Sequence, residues 1–260
     1  MANALVGGLL AKGFPADSIS VIERMESSRA RLAQDYHLHA SAEADAATQA
    51  ADTLVLAVKP QDLRAALVPL ASLVRGKLVL SIAAGVRLAD ISGWLGGHPR
   101  LVRSMPNTPA LIGAGISALF APAAVDAGDR ARAERVLAAV GETVWVDEER
   151  LLDPVTALSG SGPAYVFWFI EQLAAGGAAL GLPEETARRL AMQTVLGAAQ
   201  LAARSTEPVA ALRERVTSRG GTTEAALRVF AEERMAERLR KALEAASRRG
   251  AELGEQLGRD

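Results

Sequence analysis

Two clusters of glycine and hydroxyl residues stand before helical runs in the second half of the chain. In SGSGPAYVF, Ser159, Gly160, Ser161 and Gly162 precede Pro163, a residue suited to the first turn of a helix. In TSRGGTTEAAL, Thr217, Ser218, Gly220, Gly221, Thr222 and Thr223 precede the last long helix. Backbone N–H groups and hydroxyls that converge at the positive end of a helix suit a carboxylate. Plain helix capping is the competing reading of each cluster.

Further candidates lie in the first half. RSMPNTPALIGAG places Asn107 and Thr108 between two prolines. That fixes a turn displaying an amide and a hydroxyl at the C-terminal end of a strand, the edge at which ligands bind in α/β sheets. AVKPQ ends another strand at Lys59-Pro60, either at the rim of such a site or as a simple strand-to-helix turn. Glu23 ends the strand SVIE, where an acidic residue would hold a ribose 2′-hydroxyl; the adjacent Arg24 could instead take a 2′-phosphate, and an ordinary surface pair is the alternative. His37 and His39 flank a single residue and have no further His or Cys in register, so no metal site is expected.

The elements that must position these residues alternate from the start. Short apolar strands recur between Ile19 and Asp147 as SVIE, TLVLAV, LVLSIA, LVRSM, ISALF and TVWV, with helical runs over 26–36, 61–74, 87–95 and 127–139. This pattern predicts a Rossmann-like, doubly wound, mostly parallel sheet with helices on both faces. After Asp147 the strands stop and every segment reads as helix, the last running from near Thr222 to the end. The expected division is a dinucleotide-binding domain over 1–148 and an all-helical domain over 149–260.

Composition narrows the partners. In 260 residues, 29 basic and 30 acidic side chains leave a net charge of -1, which gives no reason to expect nucleic acid or an anionic membrane. The absence of cysteine excludes disulfides and thiol nucleophiles and is compatible with a cytoplasmic location; no signal peptide is evident. PAYVFWFIEQLAAGGAALGL is interrupted by Glu171 and Gln172, so it reads as a core helix rather than a membrane span. A helix apolar on nearly every face needs cover on every face, and a partner subunit is the natural cover.

Through LVGGLLAKG, LAVKPQ, RSMPNTPA, LSGSGPAYVF and VTSRGGTTEAAL, the sequence resembles the pyrroline-5-carboxylate reductases over essentially its whole length. The resemblance implies hydride transfer from NADPH or NADH to the C=N carbon of a cyclic imine carboxylate, giving L-proline, and a homodimer of interlocked helical domains, sometimes assembled further. It assigns the substrate carboxylate to Gly220, Gly221, Thr222 and Thr223 with Ser159, Gly160, Ser161 and Gly162 nearby. Thr223 is the donor to the imine nitrogen. Asn107 and Thr108 take the nicotinamide end, and Val58, Lys59 and Pro60 line the adenosine-to-ribose path, beside Glu23 and Arg24. Arg219 departs from the Pro or Lys of many relatives.

One departure is larger. No G-x-G-x-x-G turn precedes the first helix, and Gly7-Gly8 falls inside it, where small residues serve close packing. The family pattern begins with a strand and a turn like G-G-G-N-M-A, and MANALVGGLL matches only from the methionine of that turn onward. The expectation is therefore a sheet without its first strand, with the strands at 20–23 and 54–58 lacking the partner between them. The alternative function that follows is a folded but catalytically impaired helical dimer. A 3-hydroxyacid dehydrogenase of similar plan would need a lysine on its interdomain helix, and none lies between 78 and 240.

Overall fold

The computed structural model describes residues 1–259. The chain forms two compact units, Met1–Ser161 with Ala245–Asp260, and Gly162–Glu244.

In the first unit helix α1 (Ala2–Ala11) is closed by Gly13 at φ +85°, a left-handed position that glycine fills without steric cost. There follow β1 (Ser20–Ile22), α2 (Glu26–Tyr36), β2 (His39–Ser41), α3 (Ala46–Ala50), β3 (Thr53–Leu56), α4 (Leu63–Leu67), β4 (Leu78–Ser81), α5 (Leu88–Trp94), β5 (Leu101–Met105), β6 (Gly115–Phe120), α6 (Ala127–Leu137), β7 (Gly141–Trp145) and α7 (Leu152–Val155). Strands β3, β4 and β5 are parallel, β6 runs antiparallel to β5, and β7 is parallel to β6, in the order β3-β4-β5-β6-β7. Strands β1 and β2 form a separate parallel pair. Among the described residues β1 and β3 are not paired with each other.

Both faces of the larger sheet are covered, as the doubly wound reading requires. Alternate side chains of a strand point to opposite faces. Leu78 and Leu80 therefore join Val102, Leu119 and the α1 and α6 residues Leu5, Ala133 and Leu137 in one core layer. Val79 and Leu101 pack with Leu63, Leu67 and Ile91 in the other. All four residues of β4 are buried, which explains the apolar run Leu78–Leu80. Gly8 serves close packing: a Cβ there would lie 2.6 Å from the Ala139 carbonyl oxygen.

The second unit holds α8 (Gly162–Ala179), α9 (Glu184–Arg204), α10 (Val209–Arg215), α11 (Thr222–Glu232) and the start of α12 (Met235–Arg259). None of the 18 residues of α8 is buried within the chain.

Three local expectations are corrected. The run 61–74 is a 3-10 turn Pro60–Asp62, α4 and a second 3-10 turn Val68–Leu70, because Pro69 interrupts helical hydrogen bonding. The last helix is two, α11 and α12, broken where Arg234 takes φ +53°. Strand β2, with α3 behind it, was not anticipated, since HAS carries no apolar run.

Candidate functional site

The first unit sets candidate residues at the C-terminal ends of β1, β3 and β5. After β1, Arg29 Nη1 donates to the carbonyls of Glu23 at 2.8 Å and Arg24 at 2.6 Å, clamping the turn. One Glu23 carboxylate oxygen accepts the Met25 N–H at 2.9 Å, so the side chain shapes the turn. After β3, Val58 and Lys59 are exposed, and Lys59 opens the Pro60–Asp62 turn, its carbonyl accepting the Asp62 N–H.

After β5, Asn107 opens a 3-10 turn Thr108–Ile112 that Gly113 ends at φ +70°. The Asn107 side-chain carbonyl accepts the Ile116 N–H at 3.0 Å. The amide is therefore half spent on pinning the start of β6, and its NH2 is the part it can present. Thr108 is exposed.

The Ser159–Gly162 cluster is built differently from a simple helix start. Residues Thr156–Gly160 form a π-helical turn between α7 and α8, a feature found frequently at functional sites. The Ser161 N–H is used at 2.8 Å on the Thr156 carbonyl, and the Ser159 hydroxyl donates to the Val155 carbonyl at 3.1 Å. The half-buried Ser161 hydroxyl makes no hydrogen bond within the chain. Gly160 lies against Met105 at the end of β5: a Cβ there would stand 2.6 Å from Met105 Cε.

A charge cluster that sequence reasoning missed underlies this contact. Arg103, 2% exposed on β5, donates to Glu149 Oε1 at 3.0 Å and lies 4.0 Å from the buried Asp153. Arg87 pairs with Asp153 at 2.8 Å, and Glu149 Oε1 also accepts the Leu88 N–H at 2.8 Å. Burial pushes the Arg103 pKa down and the Glu149 hydrogen bond opposes it. The signal was the lone charge inside LVRSM, since arginine is almost never buried without partners.

In the second unit the loop before α11 gathers the other cluster. Gly220 takes φ +74°, and Gly221 is pressed against Ser218, whose carbonyl accepts its N–H at 3.0 Å. Gly221 caps α11 with no side-chain hydrogen bond, so the first-turn N–H groups of Thr222, Thr223 and Glu224 have no partner among the described residues. The Thr222 and Thr223 hydroxyls make no hydrogen bond either, whereas the Thr217 hydroxyl is turned onto the Arg213 carbonyl. Glu224, also missed from sequence, accepts the Gly220 N–H at 2.6 Å, which ties the glycine loop to the first turn of α11.

The histidines sit apart from these clusters. His37 closes α2 in a left-handed conformation, and His39 contacts Asp45 at 2.5 Å. Hydrogen bonds from the Thr48 backbone and from His39 hold the Asp45 pKa down at about 2.

A chain with this sheet, this edge and a following helical unit has named relatives. Over 259 residues it is 45% identical to the pyrroline-5-carboxylate reductase of Pseudomonas aeruginosa, covering 99% of this chain and 95% of that one. The chain belongs to the pyrroline-5-carboxylate reductase family. The Vibrio alginolyticus reductase is 41% identical over 97% of this chain and 94% of its own. A solved pyrroline-5-carboxylate reductase from Coxiella burnetii superposes with a TM-score of 0.92 at 40% identity, covering 97% and 94% of the two chains. A Plasmodium falciparum pyrroline carboxylate reductase solved with NADP bound gives 0.83 at 26% identity over the same shares. A family model described as pyrroline-5-carboxylate reductase dimerisation matches residues 149–253, and one described as NADP oxidoreductase, coenzyme F420-dependent, matches 1–85. The motifs that carry the resemblance are therefore those of a reductase family along the full length of the chain.

Proposed function

We propose that this protein reduces 1-pyrroline-5-carboxylate to L-proline with NAD(P)H, the last step of proline biosynthesis. The observation that carries the reading is family membership over 99% of the chain. The alternative of a catalytically impaired helical dimer has no support in the comparisons.

A nicotinamide dinucleotide fits the residues at the strand ends: a clamped Glu23-Arg24 turn, exposed Val58 and Lys59, Pro60 behind them, and the free NH2 of Asn107 beside the Thr108 hydroxyl. Glu23 and Arg24 would face the adenosine ribose and its substituent, and Asn107 with Thr108 the nicotinamide. When bound, the cofactor supplies a hydride to the imine carbon. The chain's own part is to anchor, orient and protonate. The unpartnered N–H groups of Thr222, Thr223 and Glu224, with the Gly220-Gly221 loop, are one candidate anchor for the substrate carboxylate, and the Ser159, Gly160, Ser161 and Gly162 turn is another. Thr223 donates its hydroxyl proton toward the ring nitrogen as negative charge develops there, and recovers a proton from solvent.

In this reading residues 1–148 bind the dinucleotide, and 149–260 carry dimerisation and substrate binding. The assembly is a homodimer, supported by the match of residues 149–253 to the dimerisation model. No helix among the described residues is long and apolar enough to cross a membrane. We assign a cytoplasmic location and no nucleic-acid partner, supported by the near-zero net charge and the absence of cysteine. The test is imine-dependent oxidation of NADPH by the purified chain with proline as product. Cofactor that stays reduced in the presence of the imine would overturn the assignment.

A further inference from the structure

We propose that Arg103 is a positioning residue for this reaction: its buried guanidinium seats the Glu149–Ser161 segment on β5, and so aligns the Ser161 turn with the Asn107 turn. The inference rests on the function proposed above and concerns a residue in neither candidate cluster.

The geometry has three parts. Arg103 and Met105 are two apart on β5, so their side chains leave the same face. Arg103 grips the beginning of the segment through Glu149 at 3.0 Å and Asp153 at 4.0 Å. Met105 meets its end, where only a glycine at 160 leaves room for the methyl group. Two residues further along the same strand direction comes Asn107. One strand thus holds both ends of the segment and presents the candidate nicotinamide contact.

Stability alone is a poor reason for this arrangement. Burying a guanidinium and the Asp153 carboxylate, with Glu149 partly covered, carries a large desolvation cost, and apolar residues of similar volume often serve stability as well or better. What charged pairs add is a fixed geometry: the Arg103 hydrogen bond and the second contact of Glu149 to the Leu88 N–H define where residue 149 sits. Arg87 supplies the fourth charge through Asp153, leaving two cations against two carboxylates.

Arg103→Met in the full chain tests the idea with two readouts. Misplacement by about 1 Å costs on the order of a hundredfold in a well-aligned site. The expected result is a drop of that size in kcat/KM for the imine, while NADPH affinity, read by calorimetry, stays at the parent value. Hydrogen exchange at the Ser161 amide, held by Thr156 in the parent, should accelerate while β4 amides keep their protection. Should the methionine variant not fold, Arg103→Lys, which keeps the charge and loses the fork, is judged by the same two readouts with a smaller loss. Parent-like imine kinetics per folded molecule overturns the proposal, as does equal loss of imine turnover and NADPH affinity with β4 exchange rising alongside Ser161. If the parent itself does not reduce the imine, the functional reading fails separately, and exchange at Ser161 relative to β4 then decides the positioning role alone.

Discussion

Thr223 carries the sharpest expectation at the level of single residues. Its hydroxyl makes no hydrogen bond within the chain and stands in an uncapped first turn of α11, so it is free to act on a ligand. Removing a preorganised donor that acts in the transition state costs about 3 kcal/mol, or roughly a hundred- to a thousand-fold in turnover. Thr223→Val is therefore expected to lower kcat by that factor with NADPH binding unaltered, measured by steady-state kinetics and titration calorimetry. A second residue gives a pH signature. Asp45 accepts the Thr48 N–H at 3.0 Å in the capping box of α3, and its pKa is lowered to about 2. A group whose folded pKa is depressed stabilises the fold above its unfolded value and loses that contribution as pH falls through the folded one. The Thr48 amide shift in NMR should accordingly titrate with a midpoint near pH 2, and Asp45→Ala should abolish that titration. What the sequence showed at this scale was residue type. It did not show which atoms were already engaged: the Asn107 carbonyl is spent on an amide nine residues away, and Ser159 turns back on its own helix. Such pairings depend on backbone path, which no local pattern encodes.

Glycine spacing on α12 decides how an element docks. Gly250, Gly254 and Gly258 recur every four residues and so share one face. A Cβ at 254 would come 2.8 Å from the Gly85 carbonyl and 3.2 Å from Arg87 Nε; one at 258 would come 2.8 Å from the Asp90 carboxylate. The helix therefore lies against backbone that cannot retreat. Gly254→Ala should destabilise the protein by about 1–3 kcal/mol through overpacking, seen as a lowered melting temperature. Gly93→Ala, in α5 with open space around it, should instead stabilise by about 0.5–1 kcal/mol. The spacing is visible in the sequence, but nothing local says what that face packs against. Elements with long apolar runs, such as β4, were legible. Short ones, such as β2, and breaks without Gly or Pro, such as Arg234, were not, because their conformations are set by packing rather than by composition.

For the whole molecule, α8 poses the question of cover. Phe167 is 60% and Trp168 54% exposed within the chain, and a run of such side chains exceeds the scattered apolar exposure of an ordinary monomer. A second copy covers it in the proposed homodimer. Charged substitution at Phe167 or Phe169 should then give unfolded or insoluble monomer, whereas a well-folded, soluble monomer of parent or variant in analytical ultracentrifugation would contradict the dimer. The broad plan of a wound sheet followed by helices was legible from periodicity, because both faces of the sheet must be buried. The return of α12 was not, since nothing local says that a helix begun in one compact unit ends in another.

That return has a consequence for synthesis. Leu257 packs against the core layer formed by Leu63, Val79 and Ile91, so the unit that holds residues 1–161 is completed by residues synthesised after the helical unit. Domains commonly fold as units in order of their synthesis, N-terminal first. Here the leading unit waits with the Gly85–Asp90 surface uncovered until translation has passed residue 257, and the helical unit, Gly162–Glu244, is fully translated before it.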